Sequence, residues 1–199
     1  MVKMKSPRRK VYLAICVVLI SLVLSLNELR LYFINNFEHQ LENKYEETSI
    51  YDDEGKVFYV VKGHHDTEYV SLDNVSPKLV SAVLALEDKR FYSHFGIDIL
   101  RIFGAIYYSV KNPNLLQGAS TITQQLIKNT VLSHKQTFTR KFIEILYALS
   151  IETKLTKDQI LEHYLNSIYL GNGYYGVQRA SKGYFNFPVK KLPLAESAL

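Results

Sequence analysis

No tryptophan occurs anywhere in the 199 residues, and cysteine occurs once, at Cys16. A lone cysteine excludes an intramolecular disulfide, so the fold needs no covalent cross-link. The aromatic content is 15 tyrosines and 10 phenylalanines, a balance that favours surfaces part apolar and part hydrogen-bonding. No acid occurs among the first ten residues, where Lys3, Lys5, Arg8, Arg9 and Lys10 stand, and no charged residue of either sign occurs from Val11 to Leu26. The formal net charge of +5 therefore belongs to a tail: without those five cations the chain holds 19 basic and 19 acidic residues. That argues against a basic groove for nucleic acid, and no nucleic-acid partner is expected. A hydrophobic content of 47% with 13% aromatics excludes a disordered chain. The length allows one medium domain with its own core plus an extra segment, and no internal repeat is present.

The uncharged run of 16 residues is broken only by two serines and one tyrosine. At about 1.5 Å per residue it spans roughly 24 Å, a little under the ~30 Å of a bilayer's hydrocarbon core. Leu29, Leu31, Tyr32, Phe33 and Ile34 extend it toward the far interface, with Arg30 snorkelling. No small-x-small cleavage site follows, and Leu13-Ala14-Ile15-Cys16 is a poor lipoprotein box because Ile15 is bulky and the site lies early. The expectation is an uncleaved, single-pass signal anchor over residues 11–34, with the 1–10 tail cytoplasmic and the remainder outside. Residues 35–75 read as an acidic, helical-looking stalk and then a β-hairpin, in which Ser49-Ile50-Tyr51 and Lys56–Val61 flank Asp52-Asp53-Glu54-Gly55. His64 and His65 are adjacent on an extended segment, point to opposite faces and cannot chelate together.

Residues 76–199 read as mainly α. Ser76 is a natural N-cap and Pro77 fits the first helical position; Leu79, Val83 and Leu86 follow on one face. Asp98 caps a helix running to about Val110, with Ile99, Ile102, Phe103, Ile106 and Val110 at helical spacing and Leu100, Tyr107 and Tyr108 off the stripe. Apolar groups around most of a helix mean burial or contact with something greasy, and burial is the expectation. Thr121 with Gln124 is a capping box opening a helix through Leu132, and Thr156 with Gln159 is a second one opening a helix to about Leu170. Between them a helix from about Thr137 to Thr153 should turn Phe138, Phe142, Ile145 and Leu149 inward. A short helix near Gln178–Tyr184 follows the turn forced by Gly171, Gly173 and Gly176, and Leu194–Leu199 looks like a helix cut off mid-turn.

The chemistry gathers in a few polar runs. Glu87 and Asp88 fall at the C-terminal end of a helix, where the macrodipole disfavours carboxylates, so at least one of them is a candidate for use. Gln117–Gln125 sets a glycine turn and hydroxyls at a helix N-terminus, suited to anions or sugar hydroxyls. Gln124 and Lys128 share a face with Gln125 beside it, and Arg140 and Glu144 stand four apart on another helix. Taken alone, each run also reads as an ordinary solvated face or ion pair.

Together they resemble the family 51 peptidoglycan glycosyltransferases, the domain of monofunctional transglycosylases and class A penicillin-binding proteins. The resemblance rests on four ordered motifs: Glu87-Asp88-x-x-Phe91-x-x-His94-x-Gly96-x-Asp98, Gly118-x-Ser120-Thr121-Ile122-Thr123-Gln124-Gln125, Arg140-Lys141-x-x-Glu144, and Ile160-x-Glu162-x-Tyr164-Leu165-Asn166 running on to Ala180. It implies a lysozyme-like helical lobe beside a smaller, membrane-proximal jaw lobe, to which Leu100, Phe103, Tyr107, Tyr108, Leu115 and Leu116 would belong. It also implies polymerisation of lipid II into glycan strands at the bacterial plasma membrane, with inversion and loss of undecaprenyl pyrophosphate. Glu87 would be the base, and Lys128, Arg140 and Lys141 would face the diphosphate. Glu144 would hold Mg²⁺ or another divalent cation, or else orient the cations. Ser120, Thr121, Gln124 and Gln125 would line the sugar and phosphate path, Asp88 would bind substrate or only support Glu87, and His94 and Gly96 would shape their loop.

Two departures stand out. Gln136, beside Lys135, replaces the family's usual arginine, and the fifth motif, which should start near Leu194-Ala195-Glu196, is cut short. No serine has a lysine three residues on, so the Ser-x-x-Lys nucleophile of a transpeptidase is not in these residues. The alternatives are a glycan-cleaving, lysozyme-like or lytic enzyme, which needs an acid rather than a cation cluster, and an inactive anchored scaffold for other cell-wall synthesis proteins.

Overall fold

The computed structural model describes residues 7–45, 48–61, 68–112, 118–132 and 137–198. His64, His65, Leu115, Leu116, Gln117, Lys135 and Gln136 lie outside them. The fold is mainly helical, with one apolar helix at its N-terminal end.

Helix α1, Pro7–Tyr45, runs 39 residues without a break through both the stretch read as an anchor and the stretch read as a stalk. Its side chains from Val11 to Leu26 are exposed, and it is the one helix among the described residues long and apolar enough to cross a membrane. Phe33, Ile34, Phe37 and Leu41 recur at helical spacing and are buried. Phe33 and Ile34 are thus core residues where the sequence suggested a membrane interface. Phe33 stacks on Tyr147, with ring centroids 4.4 Å apart. Arg30 donates to Thr153 Oγ1 at 3.3 Å and to Asn27 Oδ1 at 3.0 Å.

Strands β1 (Thr48–Tyr51) and β2 (Val57–Val61) pair antiparallel, with Thr48 opposite Val61 and a register shift at Ile50/Tyr51. Asp52 Oδ1 closes the turn by accepting from the backbone N–H groups of Glu54 and Lys56. The next described segment, from Glu68, is strapped to the helical body by the fourth motif. Val70 exchanges two 2.8 Å hydrogen bonds with the Asn166 amide, and Glu162 accepts from Leu72 N–H at 2.7 Å and from the Tyr69 hydroxyl. Glu162 and Asn166 are therefore architectural.

The remaining helices are α2 (Pro77–Glu87), α3 (Ile99–Lys111), α4 (Ile122–Thr130), α5 (Phe138–Ile151), α6 (Lys157–Ser167), α7 (Val177–Phe185) and the four-residue α8 (Leu194–Ser197). Both capping boxes form as the sequence requires, Thr121 with Gln124 on α4 and Thr156 with Gln159 on α6. Asp98 caps α3 by accepting from Arg101 N–H. Ser76 makes no side-chain cap; its hydroxyl instead donates to Leu192 O at 3.1 Å, which ties the C-terminal segment to the start of α2.

Helix α4 is the central strut. Ile122, Leu126 and Ile127 are fully buried between α1, α5 and α6, together with Ile160, Leu161, Tyr164 and Leu165. Two expectations are corrected here. The inner face of α5 is Glu144, Tyr147, Ala148 and Ile151, while Phe138 and Phe142 point outward, Phe138 at 98% exposure. On α3 only Ala105 is buried; Leu100, Phe103, Ile106, Tyr107 and Val110 all stand exposed. The apolar content of α3 serves no core among the described residues.

Candidate active site

The first motif is built where α2 stops. Arg101 Nη1 donates to the carbonyl of Glu87, so a cation from α3 satisfies the last turn of α2 and offsets the dipole there. The next residue, Asp88, is the C-cap of α2 and is 1% exposed. Its Oδ2 accepts from Ile122 N–H at 3.1 Å, the first residue of α4, and lies 2.9 Å from His94 Nε2. Asp88 is thus the anion that fills the N-terminus of α4 and pins the end of α2 against it. Buried in this way, its carboxylate meets Ile122 and His94 and is not part of the lining of the cleft beside Glu87.

Glu87 itself faces outward at one end of an open cleft of about 570 Å³, whose lining includes Lys89, Arg90, Arg101, Tyr107 and Tyr108. Its Oε2 accepts from Gln125 Nε2 at 2.7 Å. Gln125 Oε1 in turn accepts from the hydroxyl of Tyr164 at 3.3 Å. A carboxylate with a hydrogen-bonded back and an open front can take a proton from a hydroxyl placed in the cleft. The cleft's α3 wall is braced by Arg90, which donates to both Asp98 oxygens at 3.0 and 2.6 Å. Burial pushes the Asp98 carboxyl up, but the hydrogen bonds from Arg101 N–H and Arg90, with the guanidinium charge, outweigh it and hold the group below its ordinary range.

The second motif divides into two roles. Thr121 and Gln124 are 0% and 2% exposed and are consumed locally. Thr121 Oγ1 donates to Gly96 O at 2.6 Å and accepts from Gln124 N–H, and Gln124 Oε1 accepts from Thr121 N–H. Neither lines a sugar or phosphate path as placed. Ser120 and Gln125 are the polar groups that look outward: Ser120 Oγ accepts from Lys141 Nζ at 2.8 Å, and Gln125 reaches Glu87. Lys128 stands exposed on α4, three residues beyond Gln125.

The third motif opens α5. Arg140 and Lys141 occupy its first turn, where the helix N-terminus already carries partial positive charge. Two cations in that position suit an anion, and Arg140 Nε is buried with no hydrogen-bond partner among the described residues. Lys141 bridges Ser120 and Glu144. Glu144, 1% exposed, is the buried counter-ion that aims Lys141. As placed, its carboxylate is paired with Lys141, and no group of three or more His, Cys, Asp or Glu able to hold a metal ion by themselves gathers among the described residues.

The first turn of α4 is where these parts meet. Asp88 accepts from Ile122 N–H, with Glu87 its neighbour in the chain, and Lys141 donates to Ser120, two residues before Ile122. Sequence reasoning missed Arg101 and left Tyr164 without a role. Arg101 carries no signal beyond its place in the first turn after Asp98, while Tyr164 sits inside the fourth motif.

A helical body on an apolar helix thus carries one outward acid and a cationic helix start, both tied to the start of α4. The chain matches the Transglycosylase family over residues 54–199 and belongs to it. It is 44% identical over 160 residues to penicillin-binding protein 1A of Clostridium tetani, covering 78% of this chain and 20% of that protein. It is 45% identical over 151 residues to penicillin-binding protein 1A of Neisseria gonorrhoeae, covering 76% of this chain and 19% of that protein. It therefore spans about a fifth of the length of the curated relatives it matches. The domain is a peptidoglycan glycosyltransferase domain, and the apolar α1 fits a membrane-anchored protein.

Proposed function

We propose that this chain polymerises lipid II into glycan strands at the outer face of the bacterial plasma membrane. The observation that carries the reading is Glu87, held from behind by Gln125 and open to the cleft in front. The acceptor's 4-hydroxyl gives its proton to Glu87 while its oxygen attacks C1 of the donor's N-acetylmuramic acid from the face opposite the diphosphate. The C1–O bond breaks with inversion, and undecaprenyl diphosphate leaves. Lys128, Arg140 and Lys141 neutralise that leaving group, Ser120 and Gln125 border the sugar path, and Glu144 orients Lys141. A divalent cation on Glu144 would first have to displace Lys141, so protein cations carry the charge in this reading.

The exposed apolar face of α3 supports a membrane-proximal jaw lobe beside a lysozyme-like helical lobe: Leu100, Phe103 and Tyr107 would dip toward the lipid that carries the substrate. Helix α1 would cross the bilayer once with its basic start cytoplasmic. Its partners would be lipid II, the growing strand and other cell-wall synthesis proteins.

The test is polymerisation of labelled lipid-linked precursor by the full chain in vesicles. Glu87→Gln should lower the rate by about 10²–10⁴-fold with the fold intact. Undiminished polymer growth in that variant would overturn the assignment, and shortening of finished glycan by the wild-type chain would favour a cleaving enzyme.

A further inference from the structure

Tyr164 is a fully buried side chain of α6, in the same apolar core as Leu126, Leu161 and Leu165. A phenylalanine would fill nearly the same volume, and burying a hydroxyl costs stability unless it is hydrogen-bonded. Its single hydrogen-bond partner among the described residues is Gln125 Oε1, and Gln125 uses its other end on Glu87. A primary amide has two chemically opposite ends and turns easily between them. With its oxygen fixed by a donor, Gln125 must present N–H to Glu87; with that donor gone, the amide is free to turn its oxygen toward the carboxylate.

We propose that Tyr164 is a positioning residue for the transfer reaction: its hydroxyl locks the Gln125 amide in the orientation that donates to Glu87, and so fixes the direction in which the base faces the cleft. The inference rests on the reading of Glu87 as the base. Burial, and then the charge of Glu87, hold the Tyr164 phenol above its ordinary range, so it stays a donor throughout the enzyme's working pH. The lock matters most after the proton has been taken. A protonated Glu87 would find an acceptor in a turned amide and be stabilised in its spent form. A locked amide offers it none, and the proton passes to water so that the base is restored for the next addition.

The experiment is a double-mutant cycle on the full chain in vesicles, with labelled lipid-linked precursor. Tyr164→Phe should unfold within a few degrees of wild type, keep its KM, and lose about 3- to 10-fold in kcat, the scale of one net hydrogen bond. In a Gln125→Ala background the same substitution should change kcat by less than about 1.5-fold, because the group through which Tyr164 acts is gone. A kcat unchanged in Tyr164→Phe, or an equal loss with and without Gln125, overturns the proposal. Glu87→Gln is measured alongside: if it is inactive while Tyr164→Phe is normal, positioning fails and the base assignment stands. If Glu87→Gln is active, the base assignment fails first.

Discussion

Replacing Gly96 by alanine should be among the most damaging single-methyl additions in this protein. Gly96 has φ +74°, a left-handed conformation that costs an alanine about 1–2 kcal/mol. A Cβ built there would lie 3.0 Å from both C and O of Ala148 and 3.2 Å from Leu149 N. Those atoms are the backbone of α5, which can yield only by moving the helix that carries Arg140, Lys141 and Glu144. Overpacking of that kind adds about 1–3 kcal/mol, for a total of about 2–5 kcal/mol. Gly96 O also accepts the Thr121 hydroxyl, so a displaced loop loosens the cap of α4 as well. Gly173 is the matched control: its φ is +77°, but a Cβ there meets nothing within 4 Å, so Gly173→Ala should show the conformational cost alone. Thermal unfolding of the full chain in detergent reads the difference. Gly96→Ala should fall roughly 4–20 °C below wild type, at about 2–4 °C per kcal/mol, and Gly173→Ala by a few degrees. Equal, small losses at the two sites would refute the seating of the His94–Gly96 loop against α5.

Two further outcomes are expected. Lys141→Met leaves Glu144 buried and unpaired, and should cost about 1–3 kcal/mol, discounted from the ~3–5 kcal/mol of a fully buried pair because the Lys141 side chain is 40% exposed. Adding Glu144→Gln should return most of that stability without restoring polymerisation, read by unfolding and by precursor turnover in the same preparation. The rings of His163 and Phe37 of α1 meet near perpendicular, and burial holds the His163 imidazole below the ordinary 6.5, with Glu162 only partly opposing. The unfolded chain then takes up the proton first, so stability should decline as pH falls from about 6.5 toward the lowered value and level off below it. His163→Leu should flatten that slope in unfolding scans between pH 7.5 and 5.5.

Local signals in the sequence translated directly into structure. Thr121/Gln124 and Thr156/Gln159 cap the helices they were expected to cap, because a capping box needs only four neighbouring residues. Harder to read was which apolar stripe of α5 faces inward. Phe138 and Phe142 are more hydrophobic than Glu144 and Ala148, yet α5 turns Ala148 in to meet Gly96, a partner distant in the chain, and buries Glu144 beside Lys141, its neighbour one turn earlier on the same helix. The same limit applies to α3, whose composition says apolar and cannot say against what. The motif offers Gln124 for both a cap and a ligand path; a side chain spent on a cap is not free for a ligand, and the adjacent Gln125 is the one that reaches Glu87. Burial of Asp88 and Glu144 could not be seen in the motifs either, since a motif records that an acid is required and not whether it works on substrate or on its neighbours.

Helix α1 carries a mechanical consequence. Because one unbroken rod of 39 residues, about 58 Å long, is apolar and exposed at one end and packed into the helical core at the other, an anchor made of it would be a stiff mast and not a flexible tether. The azimuth of the cleft and its height above the lipid headgroups would then be set by counting residues. Inserting one residue after Tyr32 would swing the whole domain by about 100° about the mast and lift it about 1.5 Å. Seven inserted residues, close to two full turns, would bring the heading back to within about 20° while raising the mouth of the cleft about 10 Å.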